Sequence, residues 1–229
     1  MRGSTAGHTV FWVAIAGAAL TPFPVAQRSG VVSGRVTLVE RGNKPSNDVA
    51  QAVLWLEGRN LKGVTPTSAT VLTEGKEFRP RVTVVTVGSS VVFPNNDPFN
   101  HNVFSLSRGS SFDLGLYGRG EAKSSKFTRP GVIEVYCNVH ATMAAFILVR
   151  DNPYFTQPAG DGSFSISGVP PGKYVLHAWH ERTKEITKDV EVGAEGLPDM
   201  VLELDARRYK FVGHLNKYGQ PYSEGGARY

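Results

Sequence analysis

Apolar residues along this chain fall in short blocks separated by turn formers. Val31 to Leu38 alternates loosely between apolar and polar positions and predicts a strand, followed by a polar turn at Arg41 to Ser46. Ala52 to Leu56 is a second apolar block, closed by Gly58. A hydrophilic connection with Gly63 and Pro66 leads to Thr70 to Leu72 and then to Phe78. Val82 to Val87 predicts a strand that Gly88-Ser89 turns back into Ser90 to Phe93. Pro94-Asn95-Asn96-Asp97-Pro98 is a dense turn, and His101 to Leu106 reads as the next strand. Arg108 to Ser125 reads as a long glycine-bearing excursion, after which Val132 to Tyr136 and Ala145 to Val149 flank a loop. Beyond Asp151, Gly162 to Ile166 alternates. A Pro170-Pro171-Gly172 turn leads into Tyr174 to Trp179, and Val190 to Val192 and Met200 to Leu204 close the region. No long stretch has the helical period, so the chain is expected to be all-β and built from sandwiches.

Composition changes this picture little, and the termini change it more. Charged residues at 20% and hydrophobics at 41% are ordinary for a soluble globular chain, and 229 residues suffice for one large or two small domains. Part of the net charge of +5 sits in a C-terminal segment with Arg207, Arg208, Lys210, Lys217 and Arg228, which reads as a solvated basic tail over residues 206–229. No Arg/Lys block with interleaved aromatics marks a nucleic-acid surface. At the other end, Arg2, the apolar run Val10 to Leu20 and the segment Thr21 to Gln27 have the form of a signal peptide over residues 1–26. Pro24 fits the cleavage rule poorly, so a retained anchor is the alternative; either way a periplasmic or secreted location is expected.

Export makes the single cysteine informative. Exported proteins usually pair their cysteines, and a lone thiol in an oxidising compartment needs burial or a metal. Cys137 stands in Cys137-Asn138-Val139-His140-Ala141-Thr142-Met143, where a thiolate, an imidazole and a thioether recur every third residue. A loop between two strands can curl to bring such side chains together, which a straight strand cannot. Soft sulfur with imidazole suits copper rather than calcium or magnesium, and two His, one Cys and a weak Met form the ligand set of a blue-copper site. His101, at the start of a strand, is the expected second imidazole. Zinc is a poorer fit because thioether is a weak zinc ligand, and nothing accompanies the Cys–His pair to suggest a protease.

The segment Val87 to Asp97, followed by His101-Asn102-Val103, resembles the first-ligand region of the cupredoxins, and the Cys137 to Met143 loop is similar to that of their amicyanin and plastocyanin type. The resemblance spans Thr70 to Arg150. It implies a Greek-key β-sandwich carrying one copper ion that cycles between Cu(I) and Cu(II). It further implies His101, Cys137 and His140 as equatorial ligands and Met143 as the axial one. Asn102 would pin the two ligand segments together and quiet the thiolate by hydrogen bonding, with Asn138 also beside the site. Ala141 stands where an amicyanin-like loop carries proline, which implies a looser loop. Glu121, in the long excursion, is a candidate ligand for a non-blue arrangement.

Gly162 to Trp179 resembles the second half of the carboxypeptidase regulatory-like, or transthyretin-like, sandwiches, and Ser33 to Val36 through Leu54-Trp55-Leu56 resembles their first half. The expected organisation is a cupredoxin-like copper domain over residues 64–150 and a second small sandwich over 31–58 and 151–205. The second sandwich is either split by the first or one of two consecutive domains. His177 and His180 beside Glu181 raise a second metal site, though a strand-face and a turn histidine are the simpler reading; His214 and His8 carry no expected role. The function expected is non-enzymatic electron transfer between redox-protein partners. The alternatives are copper(I) trafficking or storage, and a purely structural or binding sandwich. An oxidase would want a second His cluster.

Overall fold

The computed structural model describes residues 3, 29–61 and 63–222. The expected signal segment, Gly3 apart, lies outside the described residues, as do residues 223–229 of the tail. The first strands are β1 (Gly30–Glu40), β2 (Lys44–Pro45) and β3 (Val53–Glu57), with a short 3-10 turn at Asn47–Gln51. Next come β4 (Ser68–Thr70), β5 (Leu72–Glu74), β6 (Glu77–Arg79), β7 (Val82–Thr86), β8 (Ser90–Pro94) and β9 (His101–Ser105). They continue into β10 (Phe112–Tyr117), β11 (Ala122–Lys126), β12 (Gly131–Cys137) and β13 (Ala144–Arg150). The last are β14 (Phe155–Thr156), β15 (Ser163–Val169), β16 (Gly172–Trp179), β17 (Ile186–Val192) and β18 (Leu197–Asp205).

Strands from both ends of the described chain share two outer sheets. β1 lies between antiparallel β15 and parallel β18, and β3 lies between β14 and β16 with β17 beyond. Val32 pairs with Ile166 and Trp55 with His177. The two sheets close over one core that contains Val32, Leu38, Leu54, Leu56, Tyr174 and Leu176. Residues 68–150 form a second pair of sheets, β10-β9-β12-β13-β7 against β11-β8-β4. Their core includes Phe93, Val103, Phe127, Ile133, Val135 and Ile147.

A third apolar layer joins the two sandwiches. Val53, Trp55 and Trp179 pack against Val82 and Leu148, with Phe146 at the margin. β3 therefore sends Leu54 and Leu56 into the outer core and Val53 and Trp55 into the joint, and β13 divides Ile147 and Leu148 in the same way. A strand covered on both faces has no polar side to show, which is why Val-Leu-Trp-Leu and Phe-Ile-Leu-Val read as continuous apolar runs. The guanidinium of buried Arg150 lies over the Trp55 ring, 4.2 Å from its centre, and Trp55 stacks on His177.

Two strands occupy the excursion that the sequence pattern left without structure. In β10 the pairing with β9 shifts between Asp113 and Leu116, where Gly115 takes φ 68°, so its alternation is broken midway. β11 reads Ala-Lys-Ser-Ser-Lys and has no large apolar residue to signal a strand. Both are edge strands, and Lys123 spans them by donating to the Leu114 and Leu116 carbonyls at 2.6 and 3.2 Å.

Candidate metal centre

The candidate ligands come from neighbouring strands and the loop between two of them. His101 opens β9, and Cys137 ends β12, where it is paired with Val103. The inward alternation Ile133, Val135, Cys137 turns the thiol into the inner core. Nδ1 of His101 lies 3.5 Å from Cys137 Sγ, and Nδ1 of His140 lies 3.8 Å from it. The three ligand atoms fall within 4.8 Å of one another, which is the chemistry and compactness a copper ion accepts. This is the group of His, Cys, Asp and Glu side chains among the described residues with metal-ligand spacing.

Main-chain hydrogen bonds set the loop. Cys137 N–H donates to the Met143 carbonyl, and Met143 N–H donates to that of His140, so the loop closes on itself in one tight turn. Val139 N–H points back at Sγ, 3.4 Å away. Met143 is buried in the same core as Cys137. Burial pushes the Cys137 thiol up, against the backbone N–H groups of Asn102, Val139 and His140, which favour the thiolate. Burial likewise lowers the basicity of both histidines, and the Lys76 charge adds to this at each.

Asp97, read from sequence only as part of a turn, stands beside the candidate ligands. Its Oδ2 lies 2.8 Å from Nε2 of fully buried His101. The carboxylate also accepts from Gly75 N–H at 2.7 Å and Lys76 N–H at 3.0 Å, in the hairpin between β5 and β6. Burial would raise Asp97, but these two N–H groups and His101 outweigh it and hold the carboxyl below its ordinary value. The signal available in sequence was an acidic residue four positions before a candidate ligand histidine. Phe99 completes this side, its ring tilted against those of His101 and His140 at 5.2 and 5.5 Å.

Both asparagines contact the segments that carry the candidate ligands. Asn102 does tie the ligand segments, but with its main chain: its carbonyl accepts from Asn138 N–H at 3.3 Å, and its N–H is one of those acting on the Cys137 sulfur. Its side chain donates to Asp113, whose same oxygen also accepts from Gly115 N–H. The Asn138 side chain accepts from Lys217 N–H at 2.9 Å. Glu121 is exposed just before β11 and does not join the ligand group.

The basic tail departs most from expectation. Much of its described part is exposed, but it returns to the ligand loop: Tyr222 Oη donates to the Cys137 carbonyl at 2.8 Å, and Lys217 Nζ meets Asp113 Oδ2 at 2.8 Å. The His214 ring, given no role from sequence, stacks on Tyr136 at 4.2 Å. His177, within β16, and His180, just after it, stay separate: His177 pairs with Glu185, whereas His180 Nδ1 accepts from Arg182 N–H and Glu181 binds Arg81. Those side chains are engaged individually and do not converge.

No protein-family model matches the chain, and no curated protein matches it at a significant level. Among solved structures it is similar to a copper-containing nitrite reductase from Thermus scotoductus SA-01, at 28% identity and TM-score 0.35, over 41% of this chain and 25% of that one. The chain thus spans about a quarter of that enzyme. A reduced mutant of amicyanin, with tyrosine in place of a tryptophan, aligns at 19% identity and TM-score 0.35, over 42% of this chain and 98% of that one. A purple cupredoxin from Nitrosopumilus maritimus aligns at 18% identity and TM-score 0.31, over 51% and 99%. The inner sheets of this all-β chain bring His101, Cys137 and His140 together as a group suited to copper.

Proposed function

We propose that this chain is an exported mononuclear copper protein that passes single electrons between redox-protein partners. In this reading His101, Cys137 and His140 are the strong ligands, Met143 is the weak axial one, and the protein carries electrons without being an enzyme. One observation carries the reading: two imidazole Nδ1 atoms face one buried sulfur at 3.5 and 3.8 Å. Bound copper would supply one-electron chemistry between Cu(I) and Cu(II).

The remaining work falls to the chain. Asp97 fixes the His101 ring, the closed turn from Cys137 to Met143 holds the other donors, and the inner core keeps water from the thiolate. A donor set held this tightly moves little when its charge changes. His140 is only half-buried and offers the route by which an electron enters or leaves. The outer sheets, with their transthyretin-like resemblance, support the copper sandwich through the Trp55 and Leu148 layer.

The visible absorption and paramagnetic-resonance spectra of copper-loaded protein test this. An intense thiolate-to-copper(II) band that disappears in Cys137→Ser is expected. A colourless copper(II)-loaded protein would overturn the reading and favour copper trafficking.

A further inference from the structure

The tail gains order from its own contacts before it touches the loop. The Asn216 side chain accepts from Tyr218 and Gln220 N–H, Asn216 N–H donates to the Gln220 carbonyl, and Gly219 closes the turn at φ 73°. From this turn the contacts fall beside the candidate ligands. Lys217 N–H holds the Asn138 side chain next to Cys137. Lys217 Nζ holds Asp113, whose other oxygen accepts from Asn102 next to His101. Tyr222 Oη donates to the carbonyl of Cys137 itself and lies 3.3 Å from His214 Nδ1, with the two rings at 90°. The other face of His214 lies flat on Tyr136, which precedes Cys137.

We propose that residues 214–222 brace the ligand loop, with Tyr222 and His214 as positioning residues for Cys137. This rests on the copper-site reading above. A tail that only covered the loop would bury apolar side chains against it, yet Phe211, Val212, Leu215 and Tyr218 are left exposed. The contacts made are directional instead, and they fall on Tyr136, Cys137 and Asn138 in succession. The carbonyl that Tyr222 holds belongs to the peptide that begins the loop, so its orientation sets how the loop leaves β12. Restricting that peptide narrows the range of thiol positions available to a bound metal.

The full-length chain with Tyr222→Phe, which loses only the hydroxyl, tests the brace beside His214→Ala and the exposed control Val212→Ser. Amide exchange across residues 137–143 is read in metal-free protein, and the energy of the thiolate-to-copper band in loaded protein. Tyr222→Phe should speed loop exchange about threefold to tenfold, the range one hydrogen bond carries, and shift the band. His214→Ala should act in the same direction, and Val212→Ser should match wild type. Wild-type exchange and an unshifted band in Tyr222→Phe would overturn the brace. So would a lowered melting temperature with both signatures unchanged, because that marks a covering segment only. If wild-type protein shows no band, the electron-transfer reading falls, and the exchange result alone decides the brace.

Discussion

Asp97 Oδ2 lies 2.8 Å from Nε2 of His101, and this contact decides which ring nitrogen is left for a metal. The carboxyl is held below its ordinary range and so can only accept. Nε2 must then carry the hydrogen, and the lone pair falls on Nδ1, the atom that faces Cys137 Sγ. The Gly75 and Lys76 N–H groups anchor the acceptor in turn, so a hairpin remote in sequence fixes the His101 tautomer.

Removing that acceptor should weaken metal binding more than it weakens the fold. Asp97→Ala is expected to lower copper affinity by about 10- to 100-fold in a chelator competition, with Asp97→Asn losing less because its amide oxygen still accepts. Equal affinity in all three proteins would refute the tautomer assignment.

Copper should also stabilise the folded chain. With free metal at about 100 times its dissociation constant, linkage adds about 2.7 kcal/mol, and thermal melts with and without a chelator measure it. Cys137→Ala should melt at the same temperature in both conditions. A variant that kept the full increment would show that the thiol is not a ligand.

Acid should destabilise the metal-free protein through its buried and half-buried histidines. Burial lowers His180 from its ordinary value, with the Arg182 charge adding to the effect, so the unfolded chain takes up a proton first as pH falls. His101, His140 and His214 shift in the same direction, each chiefly through burial. Their combined contribution is fully present above about pH 6.5 and is lost progressively below it. Melting temperatures between about pH 7.5 and about pH 5 should fall, and less steeply in His180→Gln. An unchanged slope in that variant would mean His180 is not part of the effect.

Truncating the joint should cost as much as truncating a core. Leu148 is fully buried between the sandwiches, and Leu148→Ala is expected to lose about 2–5 kcal/mol in urea denaturation. A loss near zero would mean that the layer yields without cost.

The fold was largely legible because most strands carry their own apolar signal and their own turns. Where it was not, the physical reason is local. β10 loses its alternation at the Gly115 bulge, and β11 is an edge strand with nothing apolar to bury. Of the candidate site, the grouping of His101, Cys137 and His140 was legible because ligand chemistry is concentrated in the Cys137 to Met143 loop and at His101. Asp97 escaped because its hydrogen-bond partners come from Gly75 and Lys76, which no spacing rule links to it. The tail escaped for a related reason: basic composition says nothing about one hydroxyl reaching one carbonyl.

The pairing of Val32 with Ile166 has a consequence for the order in which the molecule assembles. On a chain made from its N-terminus, β1 emerges with the short β2 beside it but well before its two long neighbours, β15 and β18. The strands between residues 68 and 150 find every partner among themselves. Nearby pairings close faster than distant ones, so the half that carries the candidate metal centre matures first, while the earliest strand waits for the last.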